Sequence, residues 1–239
     1  MGRGLVEAVD DVRETNPASN EELFLRLTQE FVAHGFDVQW LIRTIMNSAT
    51  YQLSSRPNAP NEKDDKYYSH YLIRRLPAEV ILDAVSQVTG VPTPFDGYPR
   101  GTRALQLPET RVNSYFLTVF GRPPRVFTSE EERHHEPSIT QALHIINGQT
   151  MNEKLRAPNG VPEMLARLGF SAERIVEHLY LAALSRPPTA EEKQAIAAGL
   201  EAAEREKSRG LEDAVTVRRQ AIEDLMWAVL TGKEFLFNH

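Results

Sequence analysis

Helical spacing of apolar residues is the feature that most constrains the fold of this chain. Ser19–Glu22 has the S-x-x-E form of a helix-capping box, and Leu23, Leu27 and Phe31 then recur at four-residue steps. The same signature returns at Thr189–Glu192. The strict alternation of a strand is not sustained over more than a few residues. The sequence therefore predicts a mainly α fold, an irregular multi-helix bundle with long proline-rich loops and no substantial sheet.

The length bounds the domain organisation. A chain of 239 residues fits one large domain or two small ones, because single hydrophobic cores stop growing near about 250–300 residues. We predict a single α-helical domain over residues 1–239, with a soft subdivision near residues 126–138. No apolar run approaches the roughly 20 residues that a transmembrane helix needs, so we predict no membrane insertion. The stretch after Met1–Gly4 is acidic and carries no signal peptide.

Composition excludes several classes of protein. The chain has no cysteine, which excludes disulfides, thiolate zinc sites, a cysteine nucleophile and covalently attached c-type haem within it. The net charge of −6 argues against a nucleic-acid partner, since phosphate binding needs a basic surface. There is also no G-x-S-x-G motif. We therefore assign no catalytic residue, and whether the chain is an enzyme stays open.

One segment departs from the acidic average. Residues 97–126 contain five arginines and a single acid, Glu109. Guanidinium groups suit planar anions such as carboxylate, sulfate or phosphate, and a proline-rich loop can hold them in one geometry. The other interpretation is that these arginines pair with acids on neighbouring helices. The hypothetical anion-binding residues are Arg100, Arg103, Arg111, Arg122 and Arg125.

Possible metal ligands are densest at His134, His135 and Glu136. Two ligands on one helical face need i, i+4 spacing, and adjacent histidines do not have it. We interpret this cluster as a solvated, charged loop and predict no metal site, with these three residues as the only weak candidates.

Several short motifs indicate a resemblance to a known family. They are Gly2–Val6 with Asp10-Asp11, Asn47–Gln52, Arg74–Glu79, Asn147-Gly148, Trp227–Leu230 and Lys233–His239. With them the chain resembles, over essentially its whole length, a C-terminal planctomycete-specific domain of unknown function. That domain belongs to the large proteins that carry planctomycete cytochrome c-type domains.

The resemblance implies an exported, multi-domain protein, and hence a periplasmic or cell-surface location. It implies upstream domains of the same protein as partners, a c-type cytochrome domain among them. Any haem would lie in such an upstream domain, so no cofactor is expected in this chain. In family members, a helical segment precedes the stretch that corresponds to Gly2–Val6. We therefore interpret the chain as a C-terminal fragment.

Two functional hypotheses follow. The leading one is a non-catalytic interaction or scaffolding module that packs on an upstream domain through Leu23, Phe31, Leu41 and their neighbours. The alternative is a binding or catalytic part that acts on anionic, sulfated or carboxylated polysaccharide through the arginine-rich loop.

Overall fold

The computed structural model describes residues 3–7, 11–108, 112–122, 148–208 and 213–238. Within these ranges most residues of regular structure are helical, and the strands are two segments of two residues each. The predicted mainly α fold is thus confirmed.

The chain divides into two compact units. The described residues of the first unit are 3–7, 11–74 and Asn238. Those of the second lie between Arg75 and Phe237. The single domain over residues 1–239 stays a prediction. The soft subdivision predicted near residues 126–138 lies outside the described residues.

Helices α1 (Glu21–Ala33) and α2 (Val38–Met46) form the regular part of the first unit. Helix α1 is capped by Asn20, whose Oδ1 accepts from the Leu23 amide at 3.0 Å. The expected cap, Ser19, instead donates to the Leu5 carbonyl at 3.1 Å. The capping prediction was wrong by one residue, because a long-range partner occupies the serine hydroxyl.

A tight turn joins these two helices. Gly35 is left-handed (φ 65°), and its N–H donates to the Val32 carbonyl at 3.0 Å. The N–H of Phe36 donates to the Phe31 carbonyl at 2.9 Å. These two bonds are those of a Schellman helix end, which satisfies carbonyls that the helix leaves free. The Asp37 side chain then caps α2 by accepting from the amides of residues 39 and 40.

Polar contacts organise the rest of the first unit. The Tyr68 hydroxyl donates to the Gly4 carbonyl at 2.5 Å, and Arg3 Nη1 donates to the Asp65 carbonyl at 3.0 Å. The Asp64 carboxylate accepts from the hydroxyl and amide of Ser69 and from the amides of residues 66 and 67, which lowers its pKa. Side-chain hydrogen bonds, rather than an apolar interior, therefore shape this loop region.

The second unit holds the remaining helices. They are α3 (Ala78–Thr89), a 3-10 helix (Ala104–Gln106), α4 (Tyr115–Val119), α5 (Gln149–Arg156), α6 (Val161–Leu168), α7 (Ala172–Leu184), α8 (Ala190–Lys207), α9 (Ala214–Leu230) and α10 (Lys233–Leu236). The predicted capping box at Thr189 and Glu192 is present at the start of α8. Strand β1 (Arg74–Arg75) pairs with β2 (Phe237–Asn238), and the Leu76 amide donates to the Leu236 carbonyl.

The hydrophobic core lies in the second unit. Helix α9 packs on α6 and α8, while α7 packs on α8 and α3. Leu82, Ile175, Ile222 and Leu230 are among its most completely buried side chains. Among the described residues, every member of this core cluster belongs to the second unit.

Gly90 marks a close approach between two helices. It ends α3 in the left-handed conformation (φ 71°), and a Cβ built on it would lie 3.2 Å from Cγ2 of Val161. Both the backbone conformation and the limited space favour glycine here.

Candidate functional site

Two carboxylates are buried on one face of α3. Glu79 and Asp83 are four residues apart, so their side chains lie on the same face of the helix. A buried carboxylate is costly unless it is paired or hydrogen-bonded. The partners of these two groups therefore show whether the cluster is a structural element or an open site.

Asp83 fastens the proline-rich segment to α3. Its Oδ1 accepts from the Ala104 amide at 2.7 Å and its Oδ2 from the Leu105 amide at 3.2 Å, at the start of the 3-10 helix. Arg103 Nε lies 3.6 Å from Oδ2, and the Arg103 side chain is 60% exposed. The carboxylate thus serves as a long-range cap for the segment.

Glu79 has a buried arginine partner. Nε of Arg122 lies 3.7 Å from Oε1 of Glu79, and both side chains are buried. Close in sequence, Arg75 Nη2 donates to the Phe120 carbonyl at 2.9 Å, and its guanidinium stacks over the Phe120 ring. Burial lowers the pKa of Arg75. These contacts join the beginning of α3 to the end of α4.

Lys154 on α5 is a third buried charge. Its Nζ donates to the Val91 carbonyl at 2.6 Å. Burial lowers the pKa of Lys154 to about 8, and the negative charge of Asp83 offsets part of that effect. The amine is nearly inaccessible to solvent, so its role in this structure is to join α5 to the end of α3.

The structure places three of the five predicted anion-binding arginines. Arg100 is exposed, whereas Arg103 and Arg122 face two different carboxylates of α3. Arg111 and Arg125 lie outside the described residues. The two paired arginines fit the interpretation in which arginines balance helix acids. An anion site formed by the five together stays a prediction.

The weak metal candidates His134, His135 and Glu136 also lie outside the described residues. Within the described ranges, no group of three or more histidine, aspartate and glutamate side chains is arranged to hold a metal ion.

Arg186 lies in a polar cluster that no sequence motif predicted. Arg186 donates to Glu192 through Nη1 and Nη2, each at 2.8 Å, and to Glu234 through Nε at 2.5 Å and Nη2 at 2.9 Å. Its guanidinium also lies over the Tyr180 ring. The carboxylates of Glu192 and Glu234 raise the pKa of Arg186, and Arg186 lowers that of Glu192 to about 2. Arg186 and Glu234 are 48 residues apart, and a contact of this range leaves no local pattern in the sequence.

The first unit presents apolar side chains to solvent. Neither α1 nor α2 contains a buried residue. Val38, Ile42, Ile45 and Met46 recur at i, i+4, i+7 and i+8, and all are exposed. We define the α1–α2 surface as the exposed apolar residues of the two helices and their turn: Leu23, Phe24, Leu25, Val32, Phe36, Val38, Ile42, Ile45 and Met46.

A groove lies on this surface, and the two helices carry a small excess of acidic residues. The groove, of about 380 Å³, is lined by Gln39, Ile42, Arg43, Met46 and Asn47. Residues 21–46 carry four acidic side chains and two basic ones. Of the residues that the leading hypothesis named, Leu23 is exposed, and Phe31 and Leu41 are half-buried. The predicted contact residues therefore lie on or beside the α1–α2 surface.

None of the helices in the described part of the chain is both long and apolar enough to cross a membrane.

The family of the chain follows from a direct comparison. A family model described as PSD1, a protein of unknown function (DUF1553), matches residues 1–200. The chain belongs to this family. No curated protein and no solved structure matches the chain.

Proposed function

We propose that this chain is a non-catalytic interaction module, and that its α1–α2 surface binds a helical protein surface rimmed with basic side chains. The observation that carries the proposal is the complete lack of buried residues in two well-capped, amphipathic helices. Large exposed apolar patches on soluble proteins mark interaction sites.

The energetics support a partner. Full burial of a valine, leucine, isoleucine, phenylalanine or methionine side chain is worth about 1.5–3 kcal/mol, so a half-exposed one gains on the order of 1 kcal/mol when covered. Nine such residues make up the α1–α2 surface. This gain offsets much of the cost of association, and complementary charges on the partner contribute further.

The charges favour a protein over a lipid surface. Helices that lie on membranes are rich in lysine and arginine on their polar face, because lipid headgroups are commonly anionic. Here the charged side chains of residues 21–46 are mainly acidic: Glu21, Glu22, Glu30 and Asp37 outnumber Arg26 and Arg43. A partner with basic residues beside an apolar helical face complements both properties.

The buried charges of the second unit support a non-catalytic role. Asp83 is engaged by backbone amides, Glu79 faces Arg122, and Lys154 donates to a carbonyl. Each of these groups has a partner that explains its burial. The upstream domains implied by the resemblance are one source of a helical partner, and that source stays a prediction.

The test uses a defined probe, a short synthetic amphipathic helix built from leucine and lysine and labelled with a fluorophore. Fluorescence anisotropy compares it with a scrambled peptide of the same composition and with a leucine–glutamate helix. We expect the leucine–lysine helix to bind the chain at least about tenfold more tightly than either control.

A matched pair of variants locates the binding. Ile42 and Met46 are each 51% exposed, whereas Leu181 and Leu168, on helices of the second unit, are 56% and 54% exposed. The double variant Ile42→Glu with Met46→Glu is expected to lose binding, and Leu181→Glu with Leu168→Glu to retain it. Equal binding of the scrambled peptide, or equal losses in the two double variants, would contradict the proposal.

A further inference from the structure

Phe36, in the turn between α1 and α2, has an unusual backbone. Its φ is 62°, in the left-handed region that bulky residues rarely adopt. Among the described residues, the other non-glycine positions with positive φ are Tyr68, Asn159 and Ser185. Asparagine tolerates this conformation well, and Ser185 ends a helix in it.

Tyr68 shows how contacts can offset the strain of such a conformation. Its hydroxyl donates to the Gly4 carbonyl at 2.5 Å and lies 3.2 Å from the Ser19 hydroxyl. The left-handed Tyr68 is thus held by long-range contacts within its own unit. Phe36 has a ring contact with Phe31, at 5.6 Å between centroids, yet 64% of its surface is exposed.

The helix end does not require an aromatic ring at this position. The bonds that close α1 use the backbone N–H groups of Gly35 and Phe36, and a glycine at position 36 would supply the same N–H without strain. The chain therefore keeps a strained residue whose ring faces mostly solvent. Strain of this kind is concentrated at functional positions.

The position of Phe36 suits an interface. It directly precedes Asp37, the cap of α2, and the exposed stripe that begins at Val38. Val32, one turn before it, is also exposed. Aromatic side chains are the commonest anchors at the centre of protein interfaces, where they fill a pocket of the partner.

We infer that Phe36 is the anchor residue of the α1–α2 surface, and that its ring enters an apolar pocket of the helical, basic-rimmed partner. This inference rests on the proposed function and names the residue that dominates the affinity. It also predicts that binding and stability respond to changes at this position in opposite directions.

The test measures thermal stability and peptide affinity in the same variants. Phe36→Gly relieves the backbone strain, so its Tm is expected to equal or exceed that of the unchanged chain. Its affinity for the leucine–lysine helix is expected to fall about tenfold or more. Phe36→Asn, which tolerates the left-handed region, is expected to behave in the same way, and Phe36→Tyr to keep both properties.

The matched control is Tyr67→Gly, which removes another exposed aromatic ring (71%) of the first unit. We expect this variant to retain peptide affinity. A marked fall in the Tm of Phe36→Gly would show that the ring has a structural role, and unchanged affinity would show that it is no anchor. Either result overturns the inference. The proposed function is tested separately by the Ile42 and Met46 variants. If the chain instead forms dimers in sedimentation equilibrium, and Phe36→Gly abolishes them, the partner is a second copy of the chain and the inference of a basic partner is overturned.

Discussion

The ammonium group of Lys154 donates a hydrogen bond to the Val91 carbonyl oxygen over 2.6 Å, and so joins α5 to the chain just after the Gly90 cap of α3. Because burial lowers the pKa of Lys154 from 10.5 to about 8, the folded chain loses this proton at a lower pH than the unfolded chain. Between these values the unfolded state binds more protons, and stability rises with pH.

Lys154→Met tests this linkage. The free energy of unfolding of the unchanged chain, relative to the variant, is expected to increase by about 1–3 kcal/mol between pH 7 and pH 10, since each pKa unit corresponds to about 1.4 kcal/mol. Urea unfolding at these two pH values measures the change. A difference that is the same at both would show that the amine titrates normally in the folded chain.

Arg186 provides a second pH dependence, of the same sign but in the acidic range. It lowers the pKa of Glu192 from 4.5 to about 2, so the pair stabilises the fold above pH 4.5 and loses this effect as the pH falls towards 2. Arg186→Gln is expected to lower the Tm by several degrees at neutral pH. The Tm difference from the unchanged chain should then shrink in melts recorded between pH 4.5 and pH 2.5. A difference that persists at the acidic end would argue that the pair is not its source.

Variants of Asp83 and Arg103 distinguish a structural contribution to stability from a surface contribution. Asp83→Ala leaves the buried amide of Ala104 and the part-buried amide of Leu105 without their acceptor, which is expected to cost about 1–3 kcal/mol of unfolding free energy. Arg103→Ala removes only an exposed guanidinium that lies 3.6 Å from the carboxylate, and is expected to cost at most about 1 kcal/mol. Chemical denaturation of both variants checks the order. Equal costs would contradict the capping role of Asp83.

Two glycines make a matched pair. Gly90→Ala places a Cβ 3.2 Å from Val161 in a left-handed residue, and is expected to destabilise the chain by about 1–2 kcal/mol. Gly199 lies within α8 with open space around it, so Gly199→Ala is expected to stabilise by about 0.5–1 kcal/mol. Thermal melts of both variants should shift in opposite directions, and shifts of the same sign would contradict the assigned backbone conformations.

Local patterns in the sequence predicted the helices well, because caps and apolar spacing act within a few residues. The capping box predicted at Thr189 and Glu192, for example, is present at the start of α8. The cap of α1 was misplaced because Ser19 is engaged by Leu5, which is fourteen residues away. Contacts of this range leave no local periodicity in the sequence.

The same limit applies to the candidate site. Spacing places Val38, Ile42 and Met46 on one face of α2, but whether that face is covered depends on the rest of the fold. The left-handed backbone of Phe36 was likewise hidden, since the sequence suggests such a conformation only at the neighbouring Gly35. The pairing of Asp83 with two amides, twenty-one and twenty-two residues later, is a long-range contact that local spacing does not show.

Hydrogen–deuterium exchange of the chain with and without the leucine–lysine helix tests the central claim most directly. The account predicts slower exchange of amides in residues 21–46 when the peptide is present, and unchanged exchange in α7 and α8, because bound surfaces open less often. Protection of α7 or α8 instead, with residues 21–46 unaffected, would contradict the assignment of the α1–α2 surface as the interaction site.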